Sequence, residues 1–544
     1  MKMIDRLTDP VRTRMRALGA VALSAALVGS LSGCAGSTSG ATANESTASA
    51  EEAGTSHALE DLDLTFTSRD KDPSYDAAAA TRITLEGNTA RVEGAGATAD
   101  GSTATITDEG TYLVSGTLDD GQVVVDTGSE TKVQVVFDGA SITNADGPAF
   151  YVKNADKCFL TLAEGSVNAL ADGEQHAEDE DGDDLNAALY SCDDLTINGS
   201  GALEVTGSYY HAIKSKDDLV ITGGAFAITA AQDGLQGNDC IKIADGTFTV
   251  NAGDDAFHSD ILLLLEGGTV EVQSCYEGFE AEKVLVNGGD HTIVASDDAV
   301  NASLASDDTT SAEATMPGRG TEGAAPGMQA EGAGTPGAQA PEAGVEGAGD
   351  AQGMRGGDGR APDGELPAEP PQGREERDAA PADTASTDLP AQGAMPSDTD
   401  RADGPRGAGM EMAASSDACL IRINGGTLRA TGGNDALDSN GNVEINGGIV
   451  LASGPAQGMD GALDYDLNAT INGGTVLLIG DIGSTRGLDQ SAQAFETNQL
   501  SGAAGSTVRL LAADGSTVAE MVAAYDFNTV LASSPQEGCT VAVA

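Results

Sequence analysis

Tryptophan is absent from the 544 residues, and aromatic side chains of all kinds make up only 3% of them. That counts against any broad aromatic stacking platform. Basic residues are also scarce: 27 lysines and arginines stand against 86 aspartates and glutamates, a net charge of −59. Such a balance excludes nucleic acid and anionic membrane surfaces as partners and favours cations. No Cys-x-x-Cys pair is present for zinc or redox chemistry, and no glycine-rich phosphate loop opens a helix. Helical periodicity is nearly missing. The one long apolar run, Ala17 to Val28, is too short to remain a membrane span.

That run follows a basic head of Lys2, Arg6, Arg12, Arg14 and Arg16 and leads into Leu31-Ser32-Gly33-Cys34. The pattern resembles a bacterial lipobox, cut before a cysteine that is then lipidated. It implies a signal peptide over 1–33, a lipid anchor on Cys34, and an exported protein held at the cell membrane, facing outward. A Gly/Ser/Thr/Ala/Glu-rich stretch follows, so 34–64 is expected to be a flexible tether. The remaining cysteines, Cys158, Cys192, Cys240, Cys275, Cys419 and Cys539, are scattered. They are expected to pack as small apolar residues rather than as a disulfide framework.

Eight times a short strand ends in a glycine turn, as in Ile221-Thr-Gly-Gly, Ile243-Ala-Asp-Gly, Val286-Asn-Gly-Gly, Ile423-Asn-Gly-Gly and Ile445-Asn-Gly-Gly. From Ile197 to Val286 the leading residues are spaced by 24, 22, 22 and 21, and from Ile423 to Ile471 by 22 and 26. A period of this size marks a solenoid whose repeats bury their apolar faces against their neighbours. About 22 residues per turn suits three short strands, which predicts an all-β, right-handed parallel β-helix. Irregular strands over 65–301 form an N-terminal cap and the first coils. The stretch 302–417, rich in Gly, Pro and Ala, lacks the apolar content to order itself and is expected to be a disordered insertion. Coils resume over 418–480, and 481–544 form a C-terminal β cap against open strand edges. Residues 174–184 are an acidic loop thrown out of one coil.

Twelve positions after the apolar residue stand Asp233, Asp255, Glu277, Asp298 and Asp435. On successive coils equivalent positions lie about 4.8 Å apart, so these acids form one column, each aimed outward by the small-apolar pair that follows it. Asp460 and Asp464 take a similar place on the next coil. Asp239, Asp254, Asp260, Glu280, Glu282, Asp297 and Asp438 lie close in sequence. Like charges at this spacing repel unless a cation sits between them. Calcium, which accepts six to eight oxygens, fits better than magnesium. The row Asn198, Asn287, Asn424, Asn446 and Asn472 reads as structural. Catalytic patterns are thin: His211 and His258 lie near the turns without a nucleophile, and Lys214, Lys216 and Lys283 neutralise the acids.

The segments Ile106-Thr-Asp-Glu-Gly-Thr-Tyr-Leu-Val-Ser-Gly-Thr-Leu, Ala149-Phe-Tyr-Val-Lys-Asn-Ala-Asp-Lys-Cys, Asp194-Leu-Thr-Ile-Asn-Gly-Ser-Gly and Phe527-Asn-Thr-Val-Leu-Ala-Ser-Ser-Pro resemble a bacterial carbohydrate-binding domain family. Its prototype is a clostridial surface protein. The resemblance implies a β-helix similar to polysaccharide lyases, calcium on the acidic turns, and binding of plant cell-wall polysaccharide without catalysis. A monomer binding an extracellular plant-type or acidic polysaccharide with calcium is the leading expectation; composition and column favour an acidic, calcium-bridged glycan, and cellulose-like ligands stay open beside it. Two alternatives stand beside it. One is a pectate-type lyase drawing its base from Lys214, Lys216, Arg422 or Arg429, and the other is a calcium-stabilised structural adhesin.

Overall fold

Alternate burial is what turns each repeat into a coil. In Ala225–Ala230 and Thr247–Asn251, every second residue points inward, and in-register pairing sets Phe226 on Phe248 and Ile228 on Val250. The two phenyl rings stack with centroids 4.7 Å apart, the coil spacing itself. The computed structural model describes residues 57–177, 184–304, 415–456 and 460–544. They wind into a parallel β-helix of about ten turns. Among the described residues there is no α-helix, only short 3-10 turns at Leu59–Asp61 and Leu488–Gln490.

One coil consists of Leu235–Gly237, Cys240–Ile243 and Thr247–Asn251, which stand in a first, a second and a third sheet. Each pairs in parallel with its equivalent one coil away. In the next two coils the first two strands fuse at the corner, giving Phe257–Leu265 and Phe279–Val286 with a register shift where the chain bends. Inside the second sheet Leu219, Ile241, Leu263, Val284, Ile421 and Val443 form one apolar column. At the N-terminal end two antiparallel pairs, Thr81–Gly87 with Ala90–Glu93 and Ala97–Asp100 with Thr103–Ile106, precede the regular coils. At the other end Val530–Ser533 lies antiparallel on Thr475–Ile479, and a separate three-stranded sheet follows. Antiparallel closure stops further parallel strands from adding to the stack.

The glycine turns are set by this spacing. A Cβ on Gly447 would lie 2.4 Å from the Asn424 carbonyl of the coil below, and Gly448 holds a φ of 78°. Beside them the asparagines do form a row: Asn424 donates to Asn287 at 2.7 Å, Asn446 to Asn424 at 2.9 Å, and Asn472 to Asn446 at 2.9 Å. Asn198 stands apart, because its amide donates to the Asp70 carbonyl instead.

Residues 57–64, expected within the tether, are built into the fold. The second sheet turns an apolar row of Leu262, Leu264, Leu285 and Leu420 outward, and Leu59, Leu62, Leu64 and Phe66 cover it. The segment then runs on to Asp70, which is buried against Lys157 at 3.0 Å and accepts from Thr196 at 2.8 Å. The six cysteines are free thiols, with Cys158, Cys275 and Cys419 buried and Cys192, Cys240 and Cys539 half-buried. Burial pushes Cys275 up to about 12. The expected signal peptide, Cys34 and nearly all of the 302–417 insertion lie outside the described residues.

Two outcomes test this architecture. The insertion leaves after Ala302, whose carbonyl accepts from Asn440 N, and returns at Ser416, which donates to the Asn440 carbonyl. One residue therefore holds both ends, and replacing 305–414 by a short Gly/Ser linker should leave the thermal midpoint nearly unchanged. Asp70→Ala strands the buried Lys157 charge and should cost about 3–5 kcal/mol in urea unfolding.

Candidate functional site

The first sheet turns one continuous row outward. Val124 stands opposite Tyr151, then Tyr190, Lys214, Gln236, His258, Glu280, Asn301 and Asp438 follow on successive coils. Immediately before these strands come the turns that carry the column of acids.

The column is fixed through its own backbone. Gly234 N donates to the Asp255 carbonyl, Ala256 N to Glu277, Gly278 N to Asp298 and Ala299 N to Asp435, at 2.9 to 3.0 Å. A Cβ at Gly278 would stand 2.2 Å from the Ala299 carbonyl, so that position has no room for a side chain. The carboxylates also reach along the stack: Asp255 N donates to Asp233 Oδ1, Asp435 N to Asp298 Oδ1 and Gly461 N to Asp435 Oδ1. Asp233, Asp255, Asp298 and Asp435 are consequently buried, each 8% exposed or less. The expectation that they aim outward is corrected: the amide of the next coil draws in Asp233, Asp298 and Asp435, and the His258 imidazole holds Asp255.

Three groups of ligand atoms close to within 4.8 Å, namely Asp233–Asp255–His258, Asp255–Glu277–Glu280 and Glu277–Asp297–Asp298. They share Asp255 and Glu277 and so form one chain of carboxylates. Burial first, then Glu280 and Asp255, pushes the Glu277 carboxyl up to about 9. Burial likewise raises Asp255, Asp298 and Asp435 to about 8 each, with neighbouring acids adding to it. Glu280 goes the other way: burial opposes it, yet hydrogen bonds from His258 hold it at about 2. His258 in turn, against its own burial, is held well above the ordinary imidazole range by Asp255, Asp260 and Glu280. Its Nδ1 lies 2.7 Å from Asp255 and 3.0 Å from Glu280, and its Nε2 lies 3.5 Å from Asp260.

A hard cation fits this donor set. Asp255, Glu277 and Glu280 offer only oxygens, the kind calcium takes. Asn301 donates its amide to Glu277 at 2.9 Å, while its Oδ1 is buried without a hydrogen-bond partner. An orphaned acceptor beside three carboxylates is what an oxygen-ligated ion would satisfy.

The other expected ligands divide. Asp254 is half-buried beside Asp233 and Glu280, which add to the rise that burial gives its carboxyl. Asp297 joins Glu277 and Asp298. Asp438, raised to about 7 by burial and then by Asp464, belongs with Asp435, Asp460 and Asp464 to a looser acidic stretch on the last coils. Asp239 meets Asp217 and Asp218 at the corner between the first and second sheets, away from the column. Glu282 is separated altogether: it faces the second sheet, where Lys283 and His57 pair with it. The fused strand turns the corner between Glu280 and Glu282, so nearness in sequence does not place them on one face.

Three features of the site emerge only from the fold. His258 links Asp255 to Glu280, Asn301 supplies the orphaned oxygen, and the corner repeats acidic pairs. The last had a signal, since Ser191-Cys-Asp-Asp and Ser215-Lys-Asp-Asp recur 24 residues apart. Asn301 had none, because it lies between the column and the insertion.

Comparison with known proteins bears on this face. Residues 100–325 match the model of a family described as carbohydrate-binding domain-containing protein. The similarity to that family is confined to this stretch, less than half of the chain. The family match takes in the outward row from Val124 to Asn301 and four column acids, and leaves Asp435 outside. A relative from Acetivibrio thermocellus with the same description is 42% identical over 126 residues, which is 23% of this chain. The aligned part spans 44% of that relative's length. A solved structure, a polysaccharide lyase-like protein from C. thermocellum as a gadolinium derivative, is 31% identical, with a TM-score of 0.37. The alignment covers 40% of this chain and 91% of that one.

The raised carboxyls give a stability prediction. An unfolded Asp or Glu ionises near pH 4, whereas Asp255, Glu277, Asp298 and Asp435 hold their protons to about 8 or 9 in the folded protein. The folded state therefore binds more protons over that interval and loses stability as pH rises through it. In chelator, the thermal midpoint should fall from about pH 5 to about pH 9, and saturating calcium should flatten that decline.

Proposed function

We propose that the chain binds an extracellular polysaccharide along the outward row of its first sheet, without turning it over. The family of residues 100–325 supports carbohydrate binding. The observation that carries the cation is the buried Asn301 Oδ1, left without a partner beside Asp255, Glu277 and Glu280. Calcium held there would neutralise part of a chain of net charge −59 and present a positive centre on an acidic face. A polymer bearing carboxylates could then be bridged to the protein through the shared ion, which is why an acidic polysaccharide suits the site better than a neutral one.

The positions of the candidate bases narrow the lyase alternative to one residue. Arg422 pairs with Glu444 at 2.7 Å on the second sheet, and Arg429 pairs with Asp290 at 2.5 Å on the third. Lys216 is exposed at the corner beyond the first sheet, which leaves Lys214 on the outward row. We further read Cys34 as the lipid-anchored end of the exported protein, on the strength of Leu31-Ser32-Gly33-Cys34.

Titration calorimetry with polygalacturonate tests the reading. Binding is expected in calcium and should be lost in chelator. Glu277→Gln should weaken calcium by roughly tenfold or more, since it removes one charged oxygen ligand. Absorbance of unsaturated uronate should stay at baseline over prolonged incubation; its rise would establish a lyase instead.

A further inference from the structure

The outward row of the first sheet has a second feature at its N-terminal end, remote from the carboxylate chain. A cleft of about 530 Å³ opens over Gln122–Asp126 and Phe150–Asn154, between the Pro148 turn and Leu185. Its size lies within the roughly 300–1,000 Å³ usual for ligand clefts. Val124 and Tyr151 form its floor, and Gln122, Asp126, Asn144 and Lys153 rise around it. These positions follow from the strand period. Val123 and Val125 point into the core, so Gln122, Val124 and Asp126 face out, and on the next strand Phe150 and Val152 face in while Tyr151 and Lys153 face out. A register shift after Val125 pairs Asp126 with Asn154 and passes over Lys153.

Asn144 donates its amide to the Pro148 carbonyl at 2.9 Å, which fixes that wall. Among the described residues, the side chains of Gln122, Asp126 and Lys153 make no hydrogen bond or ion pair within the protein. The cleft thus offers an amide, the carboxylates of Asp126 and Asp146 and a single ammonium, set around an apolar floor. That is the complement of a sugar ring, with hydroxyls at its rim and C–H groups on its face.

We propose that this cleft is a saccharide subsite, separate from the cation site, that takes a uronic-acid unit of the same polymer. The proposal rests on the carbohydrate-binding reading above. Lys153 meets the sugar carboxylate, Gln122 and Asp126 take ring hydroxyls, and Val124 with the Tyr151 edge receives the C–H face. The uronate assignment comes from Lys153: a cation kept free in a chain with 27 basic and 86 acidic residues marks the place where an anionic ligand can dock. The pairing runs Tyr151, Tyr190, Lys214, Gln236, His258, Glu280, so five strand spacings separate the cleft from the cation site. At about 4.8 Å each that is roughly 24 Å. One polymer lying along the row spans both sites, and the two contacts reinforce each other.

The test uses the full chain with saturating calcium, titrated with long oligogalacturonides and, separately, with cello-oligosaccharides. Lys153→Gln and Asp126→Ala alter outward side chains the core does not use. They should keep the wild-type thermal midpoint and calcium affinity while weakening oligogalacturonide by roughly tenfold, as expected when a charged hydrogen bond is lost. If wild type binds and both variants match it, the subsite is wrong and the carbohydrate-binding reading stands. Binding of the neutral cello-oligosaccharides alone would overturn the uronate assignment. Failure of wild type to bind either polymer would remove the underlying reading and the subsite with it.

Discussion

A parallel stack repeats its coils at one strand spacing, about 4.8 Å, and that spacing dictates what each position of a repeat can be. Inward positions must accept their own kind at van der Waals distance, so Phe226 lies on Phe248 and Phe257 on Phe279, with ring planes only 6° and 12° apart. Turn positions must let one backbone pass close over the next, and glycine recurs where a Cβ would strike the carbonyl below. Polar positions must bond along the stack, as Asn287, Asn424, Asn446 and Asn472 do. The same constraint has a cost at the acidic turns. It sets carboxylates one coil apart and buries them, and like charges so placed cannot all ionise without a counter-charge.

The response to that constraint differs along the stack. Around Asp255 and Glu280, the His258 imidazole lies between two carboxylates and holds its proton well above the usual range. Around Asp298, Asp435 and Asp438 there is no such base among the described residues, and the carboxyls are raised to about 8, 8 and 7, by burial first. Protons and cations are therefore alternatives on this column. A cation at Asp255, Glu277 and Glu280 would stabilise the charged carboxylates that otherwise take up protons, which couples ion binding to the stability of the turns themselves.

How much of this the sequence discloses follows from periodicity. The coil step, the register of Asp233, Asp255, Glu277, Asp298 and Asp435 and the row of asparagines all repeat, and repeats are legible, as is the place after Ala302 where they stop. Contacts that do not repeat are not legible in this way. Leu59 to Phe66 resemble part of a linker until the apolar row they cover is known, because that row is assembled from Leu262, Leu264, Leu285 and Leu420 on separate coils. Glu282 and Glu280 both lie just past a column acid in sequence, whereas the strand bends between them. The direction of the column acids depended on which amide each carboxylate reaches, as when Asp435 N bonds to Asp298 across 137 residues.

The outward row of the first sheet brings these strands together. Its inward partners are apolar or small throughout, with serine recurring at Ser191, Ser215, Ser259 and Ser439, so nothing in folding requires the outward residues to change character along the stack. Yet they pass from Val124, Tyr151 and Tyr190 through Lys214 and Gln236 to His258, Glu280, Asn301 and Asp438. The second sheet shows what a row without such a demand looks like: its leucines are covered by the chain's own residues 59–66. On the first sheet, among the described residues, the cleft floored by Val124 and Tyr151 is open, and an unsatisfied acceptor, Asn301 Oδ1, lies beside the carboxylates. A graded, partly open row, on a scaffold that covers its other apolar face, is the surface along which we propose that a long ligand lies.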